Sequence, residues 1–178
     1  MTTKLEDLDF TGKITAEELL LVLKKEASNI SMTDIMTAHS YLVAEGKYVQ
    51  GNYRKEYLHA YVKGFILRLK EIKNNQNKFE GTVNACELKE AVELLNEQEQ
   101  ALIKIRSRES HFFKIYKIIS IYTTFIRDEP IHIVGTPFPG GFKVKYENGA
   151  YLCPVKDKQK DNPSAVCGFC IAEQDEDI

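Results

Sequence analysis

Hydrophobic residues recur at helical spacing along most of the chain. Thr15 followed by Glu18 has the pattern of a capping box, and the apolar run after it is too continuous for a surface helix. Ser31 with Asp34 marks a second helix start. Over residues 53–72, apolar side chains return every three or four positions while basic residues fill the opposite face. These patterns predict a bundle of amphipathic helices.

A long helix is predicted over residues 82–129, which contain neither glycine nor proline. Asn84 with Glu87 forms a cap pattern at its start, and the charged stretch at 106–110 is a candidate bend. Residues 112–126 are apolar nearly all round, as expected of a helix buried in the middle of a bundle. Their many β-branched side chains leave a strand open as the alternative.

The pattern changes at Pro130. Prolines and glycines over residues 130–141 predict an extended connection, because helices avoid both residue types. Alternating apolar and charged residues then lead to Asn148-Gly149, a pair that favours a type I′ hairpin turn. After a lysine-rich loop, Asn162 is a candidate cap for a short helix that ends near Cys167.

The predicted fold is therefore mainly α, with about five helices, one of them long and central, and a small C-terminal lobe. Residues 1–129 form the helical bundle in this interpretation. Residues 130–178 form a hairpin and cysteine lobe that packs on it, within a single domain overall.

The composition favours a globular protein and argues against nucleic-acid-binding and membrane-spanning proteins. The chain of 178 residues is 43% hydrophobic and 28% charged, which is typical of a globular protein, and its net charge of −2 argues against nucleic-acid binding. The N-terminus has no basic and apolar signal sequence, and no stretch is apolar for long enough to span a membrane. We therefore expect a cytoplasmic protein. A protein partner or a homo-oligomer remains open.

Three of the four cysteines are the main candidates for chemistry. Cys153, Cys167 and Cys170 lie within eighteen residues, beside the predicted hairpin. A Cys-x-x-Cys turn with a further cysteine from a hairpin is typical of structural zinc sites, and a reducing compartment favours metal binding over disulfides. The fourth ligand could be Cys86 at the start of the long helix, His132, or a position open to solvent or substrate. The sequence thus predicts a zinc site.

Basic residues surround the predicted site, where they would offset the charge of bound thiolates. They are Lys143, Lys145, Lys156, Lys158 and Lys160.

Two other interpretations of the cysteines use different chemistry. An iron–sulfur cluster also takes thiolate ligands, so an enzyme or electron carrier is the first alternative. A reversible disulfide between Cys167 and Cys170 is the second, although a thioredoxin-like βαβ setting is missing from the pattern. No nucleophile elbow, HExxH helix or paired-carboxylate motif is found, which leaves enzymatic activity undetermined and favours a binding or regulatory role.

The runs GTPFPGGFKV and YLCPVKDKQKDNPSAVCGFC resemble a family of uncharacterised archaeal proteins, best represented in methanogens and defined by a domain of unknown function. The resemblance is concentrated in residues 132–171, with a looser helical similarity elsewhere. It implies the cytosol of an anaerobic archaeon, where iron–sulfur chemistry is common, and it implies no specific activity. The positions that match the pattern of the family are His132, Pro137 to Gly141, Cys153, Pro154, Cys167 and Cys170.

Overall fold

The computed structural model describes residues 4–49, 51–105 and 109–178. Six helices and five short strands lie in these ranges, so the predicted mainly α class is confirmed. The helices are α1 (Ala16–Ser28), α2 (Met32–Glu45), α3 (Arg54–Asn74), α4 (Ala85–Ile105), α5 (Glu109–Phe125) and α6 (Lys156–Gln159). The strands are β1 (Ile14–Thr15), β2 (Thr82–Val83), β3 (Lys145–Glu147), β4 (Ala150–Cys153) and β5 (Glu173–Gln174).

The predicted caps of the first, second and fourth helices are confirmed. The Thr15 hydroxyl accepts the backbone N–H of Glu18, and the Glu18 carboxylate in turn accepts the backbone N–H of Thr15. Ser31 and Asp34 form the same reciprocal pair at the start of α2. Asn84 accepts backbone N–H groups from the first turn of α4. The local sequence therefore fixes where three of the helices begin.

Helix α5 lies at the centre of the bundle, because it contacts α1, α2, α3 and α4. Its side chains are buried along nearly its whole length, and Ile115, Ile121 and Tyr122 have no solvent exposure. The predicted buried helix over residues 112–126 is thus confirmed, and the strand alternative is wrong.

The predicted long helix over residues 82–129 is two helices in the structure, α4 and α5, which pack against each other. Two helices in lateral contact bury their apolar faces on one another, which a single straight helix cannot do. The predicted bend at 106–110 falls mostly on residues 106–108, which lie outside the described ranges.

A two-stranded antiparallel pair, β1 with β2, was not predicted from the sequence. Ile14 pairs with Val83 and Thr15 with Thr82, directly before α1 and α4 begin. Each strand has only two residues, which is too short for an alternating pattern to be recognised. The pair holds the starts of α1 and α4 side by side.

The C-terminal hairpin is formed as predicted. Strands β3 and β4 are antiparallel, and Glu147 pairs with Ala150 across a two-residue turn. Asn148 and Gly149 in that turn have φ angles of 52° and 84°, the left-handed conformation that a type I′ turn requires. Strand β5, which lies in an acidic segment, pairs with β4 in parallel and forms the third strand of the sheet.

The short helix predicted from Asn162 to Cys167 is wrong. The helical turn lies earlier, in α6, and residues 162–170 are a series of turns. Asn162 accepts the backbone N–H of Ser164 at 2.9 Å, which closes an Asx-turn rather than a helix cap. Asn and Pro are favoured in both structures, so their presence alone could not distinguish them.

The cysteine-bearing turns pack on the helical body. Gln98 of α4 donates to the carbonyl oxygens of Pro163 and Ala165 at 2.7 and 3.1 Å. Val166 is buried in the main hydrophobic core, and the ring of Phe169 stacks on that of Phe125 at 6.5 Å. Among the described residues, no helix combines the length and the apolar character needed to cross a bilayer.

Candidate metal centre

Cys153 is the last residue of β4 and is buried, with 6% of its surface exposed. Its carbonyl oxygen accepts the backbone N–H of Asp175, which ties it to the segment after β5. Burial raises the pKa of its thiol, and the nearby backbone amides of Val155 and Lys156 act in the opposite direction. Amides directed at a sulfur in this way stabilise a thiolate, which is the form that binds a metal.

Cys167 and Cys170 lie on a tight turn that follows the buried Val166. The backbone N–H groups of Phe169 and Cys170 both donate to the carbonyl oxygen of Val166, at 3.3 and 3.2 Å. Both cysteines are half-buried. Because Val166 is anchored in the core, the turn holds the two thiols at the surface of the bundle.

Lys156 joins the two parts of the site. Its ammonium group donates to the carbonyl oxygen of Cys167 at 2.5 Å and to that of Cys170 at 2.6 Å. Since Lys156 is three residues from Cys153, these bonds hold the turn next to the end of β4. A cation at this point also favours the thiolate forms of Cys153 and Cys167.

The three thiols influence one another electrostatically. Burial raises the pKa of Cys153, and the nearby Cys170 raises it further, against the lowering effect of the amides and of Lys156. Burial likewise raises the pKa of Cys167, with additional contributions from Cys170 and Cys153. Three thiolates in this neighbourhood would repel one another, and a divalent cation between them would remove that repulsion.

The thiols are neighbours but do not form a closed cage. Across residues 4–49, 51–105 and 109–178, no three His, Cys, Asp or Glu side chains are arranged as they would be around a metal ion. An ion at this site would therefore require the sulfurs to turn towards a common centre.

Cys86 lies apart from these three thiols in its contacts. It is exposed in the first turn of α4, and its sulfur lies 3.7 Å from Oε1 of Glu90. Glu90 in turn lines a cavity of about 430 Å³ that also exposes Cys170. The aromatic rings of Phe125 and Phe169 also line this cavity.

His132 packs among aromatic rings. Its imidazole lies 5.8 Å from the ring of Tyr61 and 5.6 Å from the ring of Phe138. Burial lowers the pKa of His132 to about 4, so the ring is neutral at pH 7. The adjoining cavity of about 30 Å³ has room for one or two water molecules. Tyr116 lines the same cavity. Burial raises the pKa of its phenol, and the nearby Cys167 and Cys170 raise this pKa further, so Tyr116 is close to both the cavity and the cysteine turn.

Of the five lysines expected to surround the site, Lys156 is the one whose described ammonium contacts reach the cysteine turn. Lys145 pairs with the buried Asp175 at 2.8 Å, Lys143 lies 3.5 Å from Glu56, and Lys160 pairs with Asp157. The sequence shows that the segment is basic, but it does not show which lysine bonds to the cysteine turn. The one feature that could have indicated Lys156 is its position three residues after Cys153, because a side chain so soon after the end of a strand can fold back beside it.

Comparison with known proteins gives the family. The sequence profile of a family described as uncharacterized proteins conserved in archaea, DUF2115, matches residues 15–175. The chain belongs to this family. The DUF2115 match covers both the helical body and the cysteine-bearing segment, so the predicted resemblance to an archaeal family is confirmed.

Relatives of the chain come from methanogens. A UPF0305 protein of Methanothermobacter thermautotrophicus is 43% identical over 93% of this chain and 99% of its own length. A second UPF0305 protein of that organism is 34% identical over 89% and 96%, respectively. A UPF0305 protein of Methanocaldococcus jannaschii is 32% identical over 92% and 98%. No solved structure matches the chain.

Proposed function

We propose that this chain is a metal-binding protein in which the thiolates of Cys153, Cys167 and Cys170 hold one zinc ion, in a binding or regulatory role. The observation that carries the proposal is the double hydrogen bond from Lys156 to the carbonyl oxygens of Cys167 and Cys170. It holds a Cys-x-x-Cys turn beside the end of the strand that carries a third, buried cysteine. This supports the proposal, because structural zinc sites commonly draw their ligands from such a turn and a neighbouring hairpin.

The chemistry of the donors favours a metal over a redox dithiol. A reactive dithiol needs a lowered thiol pKa, whereas burial raises the pKa of Cys153 and of Cys167. A bound cation reverses this effect, since it stabilises the deprotonated ligands directly. The amides directed at Cys153 act in the same direction.

A fourth ligand would come from α4, unless that position is open to solvent or substrate. Cys86 contacts Glu90, and Glu90 and Cys170 line one cavity, which supports the α4 side of the site as its source. His132 is a poorer ligand in this arrangement, because its imidazole is packed between Tyr61 and Phe138.

Metal content tests the proposal directly. We expect the protein, purified without oxygen, to contain about one zinc per chain and to lose it when Cys153 is replaced by serine. Lys158→Met is the matched control, since Lys158 is exposed in the same segment and should leave the zinc content unchanged. A colourless, fully folded protein that binds neither zinc nor iron would contradict the proposal.

The alternatives give different results in the same preparation. Brown protein with iron and sulfide would identify a cluster on Cys153, Cys167 and Cys170 in place of zinc. A metal-free protein that loses and regains two mass units on oxidation and reduction would instead identify a Cys167–Cys170 disulfide.

A further inference from the structure

Lys117 is a buried lysine on the central helix α5. It is 6% exposed, although lysine is among the residue types that are rarely buried. Its ammonium group donates to Oε1 of Glu6 and, at 2.5 Å, to Oδ1 of Asn96 on α4. The partner carboxylate belongs to a short helical turn, Leu5–Asp7, and 39% of the Glu6 side chain is exposed. The ion pair is therefore buried on the side of Lys117 and open to solvent on the side of Glu6.

Lys117 lines a cleft of about 630 Å³ between the N-terminal turn, α1, α4 and α5, which is large enough for a small molecule. The nine lining residues are four lysines, four acidic residues and one asparagine, with no apolar side chain among them. This lining carries no net charge when all its groups are ionised, and it offers both hydrogen-bond donors and acceptors. A neutral ligand with several hydroxyl groups suits such a lining better than an ion or an apolar molecule.

Glu26 supplies a second functional group beside the amine. It lies on α1 and lines the same cleft, and its Oε1 accepts the backbone N–H of Leu5 at 2.7 Å. Burial raises the pKa of Glu26, and the nearby Glu6 raises it further. The amide of Leu5 and the charge of Lys117 act in the opposite direction but leave this pKa raised. A carboxyl group with a raised pKa is better able to donate a proton, as a general acid does.

We propose that Lys117 is a nucleophile that forms an imine with a small, neutral, hydroxyl-bearing aldehyde or ketone bound in this cleft. A buried amine next to proton-transfer groups is the arrangement that covalent catalysis by lysine needs. Lys25 and Lys114 line the same cleft, and neither ammonium group has an ion-pair partner among the described residues. Such neighbouring cations favour the neutral, nucleophilic form of an amine. The cleft shares no residue with the cysteine site, so the inference is independent of the proposed function.

Imine formation here needs no reagent besides the carbonyl compound. The Lys117 ammonium passes a proton to Glu6, to which it is already hydrogen-bonded, and the free amine attacks the carbonyl carbon. The C–N bond forms as the C=O π electrons move to the oxygen, and Glu26 transfers a proton from the nitrogen to that oxygen. The proton held by Glu6 then joins the same oxygen, which leaves as water, and a protonated C=N bond remains.

Reductive trapping with glyceraldehyde tests the imine. Cyanoborohydride reduces an imine to a stable amine by adding hydride to its carbon, and peptide mass mapping identifies the lysine that carries the adduct. We expect the initial rate of labelling at Lys117 to be at least about tenfold higher than at Lys89, which is 55% exposed and lies 3.7 Å from Glu93. A purely structural Lys117, buried and ion-paired, would instead react more slowly than Lys89.

Three variants separate the roles of the side chains. Lys117→Arg keeps a cation opposite Glu6 but removes the nucleophile, so labelling at this position should be lost with no change elsewhere. Lys89→Arg is the matched control, because it makes the same exchange at another ion-paired lysine and should leave labelling at Lys117 unchanged. Glu26→Gln still accepts the Leu5 amide but cannot transfer a proton, and it should slow labelling at Lys117 by at least about tenfold. Circular dichroism should show intact helices in all three.

The wild-type rates decide the proposal even where a variant fails to fold. Labelling at Lys117 that is no faster than at Lys89 would overturn it, and so would a folded Glu26→Gln variant with an unchanged rate. Butanal and pyruvate test the substrate class, since butanal lacks hydroxyl groups and pyruvate is charged. Either probe reacting at Lys117, relative to Lys89, as fast as glyceraldehyde does would overturn the neutral, hydroxyl-bearing class.

Discussion

The helical body and the cysteine-bearing segment are stabilised in different ways. Helices α1 to α5 bury a continuous apolar core, centred on α5. Among the described residues of the C-terminal segment, residues 130–178, only Val166 is a fully buried member of that core. Apart from Val166, the segment meets the core through the half-buried Ile131 and Phe169. Polar contacts add to these: Gln98 bonds the segment to α4, and Lys156 and the Lys145–Asp175 pair join parts of the segment to one another.

This difference predicts that the helical body provides most of the stability, whereas the C-terminal segment can change its conformation more easily. Burial of apolar surface is cooperative and insensitive to small changes of geometry, whereas a hydrogen bond depends on the position of two atoms. A segment that depends on such bonds can reposition its thiols without unfolding the bundle. A ligand that binds the thiols would then stabilise the segment and reduce its local unfolding.

The largest effect is expected from the core of the body. Ile121→Ala in α5 removes a fully buried side chain and should lower the free energy of unfolding by about 2–5 kcal/mol. Urea denaturation followed by circular dichroism measures it. Ile103→Ala is the control, because Ile103 is 47% exposed and should cost less than about 0.5 kcal/mol. A loss below 1 kcal/mol for Ile121→Ala would show that the body does not depend on its central helix.

A second, smaller effect should appear as pH dependence at the junction of the two regions. Burial lowers the pKa of His132 to about 4, below its value of about 6.5 in an unfolded chain. The unfolded chain therefore binds a proton first as the pH falls, so stability is complete above about pH 6.5 and is lost progressively down to about pH 4. The expected loss is roughly 3 kcal/mol, because each pKa unit of the difference corresponds to about 1.4 kcal/mol.

The variant His132→Gln isolates this effect. Its unfolding free energy should vary less between pH 6.5 and 4 than that of the wild type, whereas His59→Gln, at an exposed position of α3, should behave as the wild type does. Equal pH dependence in wild type and His132→Gln would mean that the His132 imidazole is not excluded from water.

The smallest loss of stability is expected when the hydrogen bonds between the helical body and the C-terminal segment are removed, and this change should affect the two regions differently. Gln98→Ala removes two hydrogen bonds to the C-terminal segment and should cost about 1–2 kcal/mol. Amide hydrogen exchange should increase in residues 160–170 while α5 stays protected. Gln100→Ala, on the same helix but exposed, is the control. Uniform loss of protection in both regions would contradict the separation between them.

Sequence patterns predicted the helical body better than the C-terminal segment, because the signals that specify the helices are local in the sequence. Helix starts depend on local pairs such as Thr15 with Glu18, and the buried character of α5 follows from its composition. The hairpin turn was also predictable, because Asn148-Gly149 alone determines its conformation. All of these signals lie within a few residues of the structure that they specify.

The features that were missed depend on contacts between residues distant in the chain. The pairing of β5 with β4 joins residues about twenty positions apart, and the bonds of Lys156 to the cysteine turn join residues eleven and fourteen positions apart. Neither produces a periodic pattern. Asn162 was misassigned as a helix cap because the same residue type closes an Asx-turn. The cysteine spacing predicted which residues to consider, but not Lys156.

Strand β5 has a practical consequence for handling the protein. Its backbone pairs with the end of β4, and the N–H of Asp175 binds the carbonyl oxygen of Cys153. Residues 173–175 therefore hold the end of β4, and with it the backbone of Cys153, in place. Proteolytic cleavage between Cys170 and Glu173 would release this end of the sheet, whereas cleavage before α1 would leave it intact.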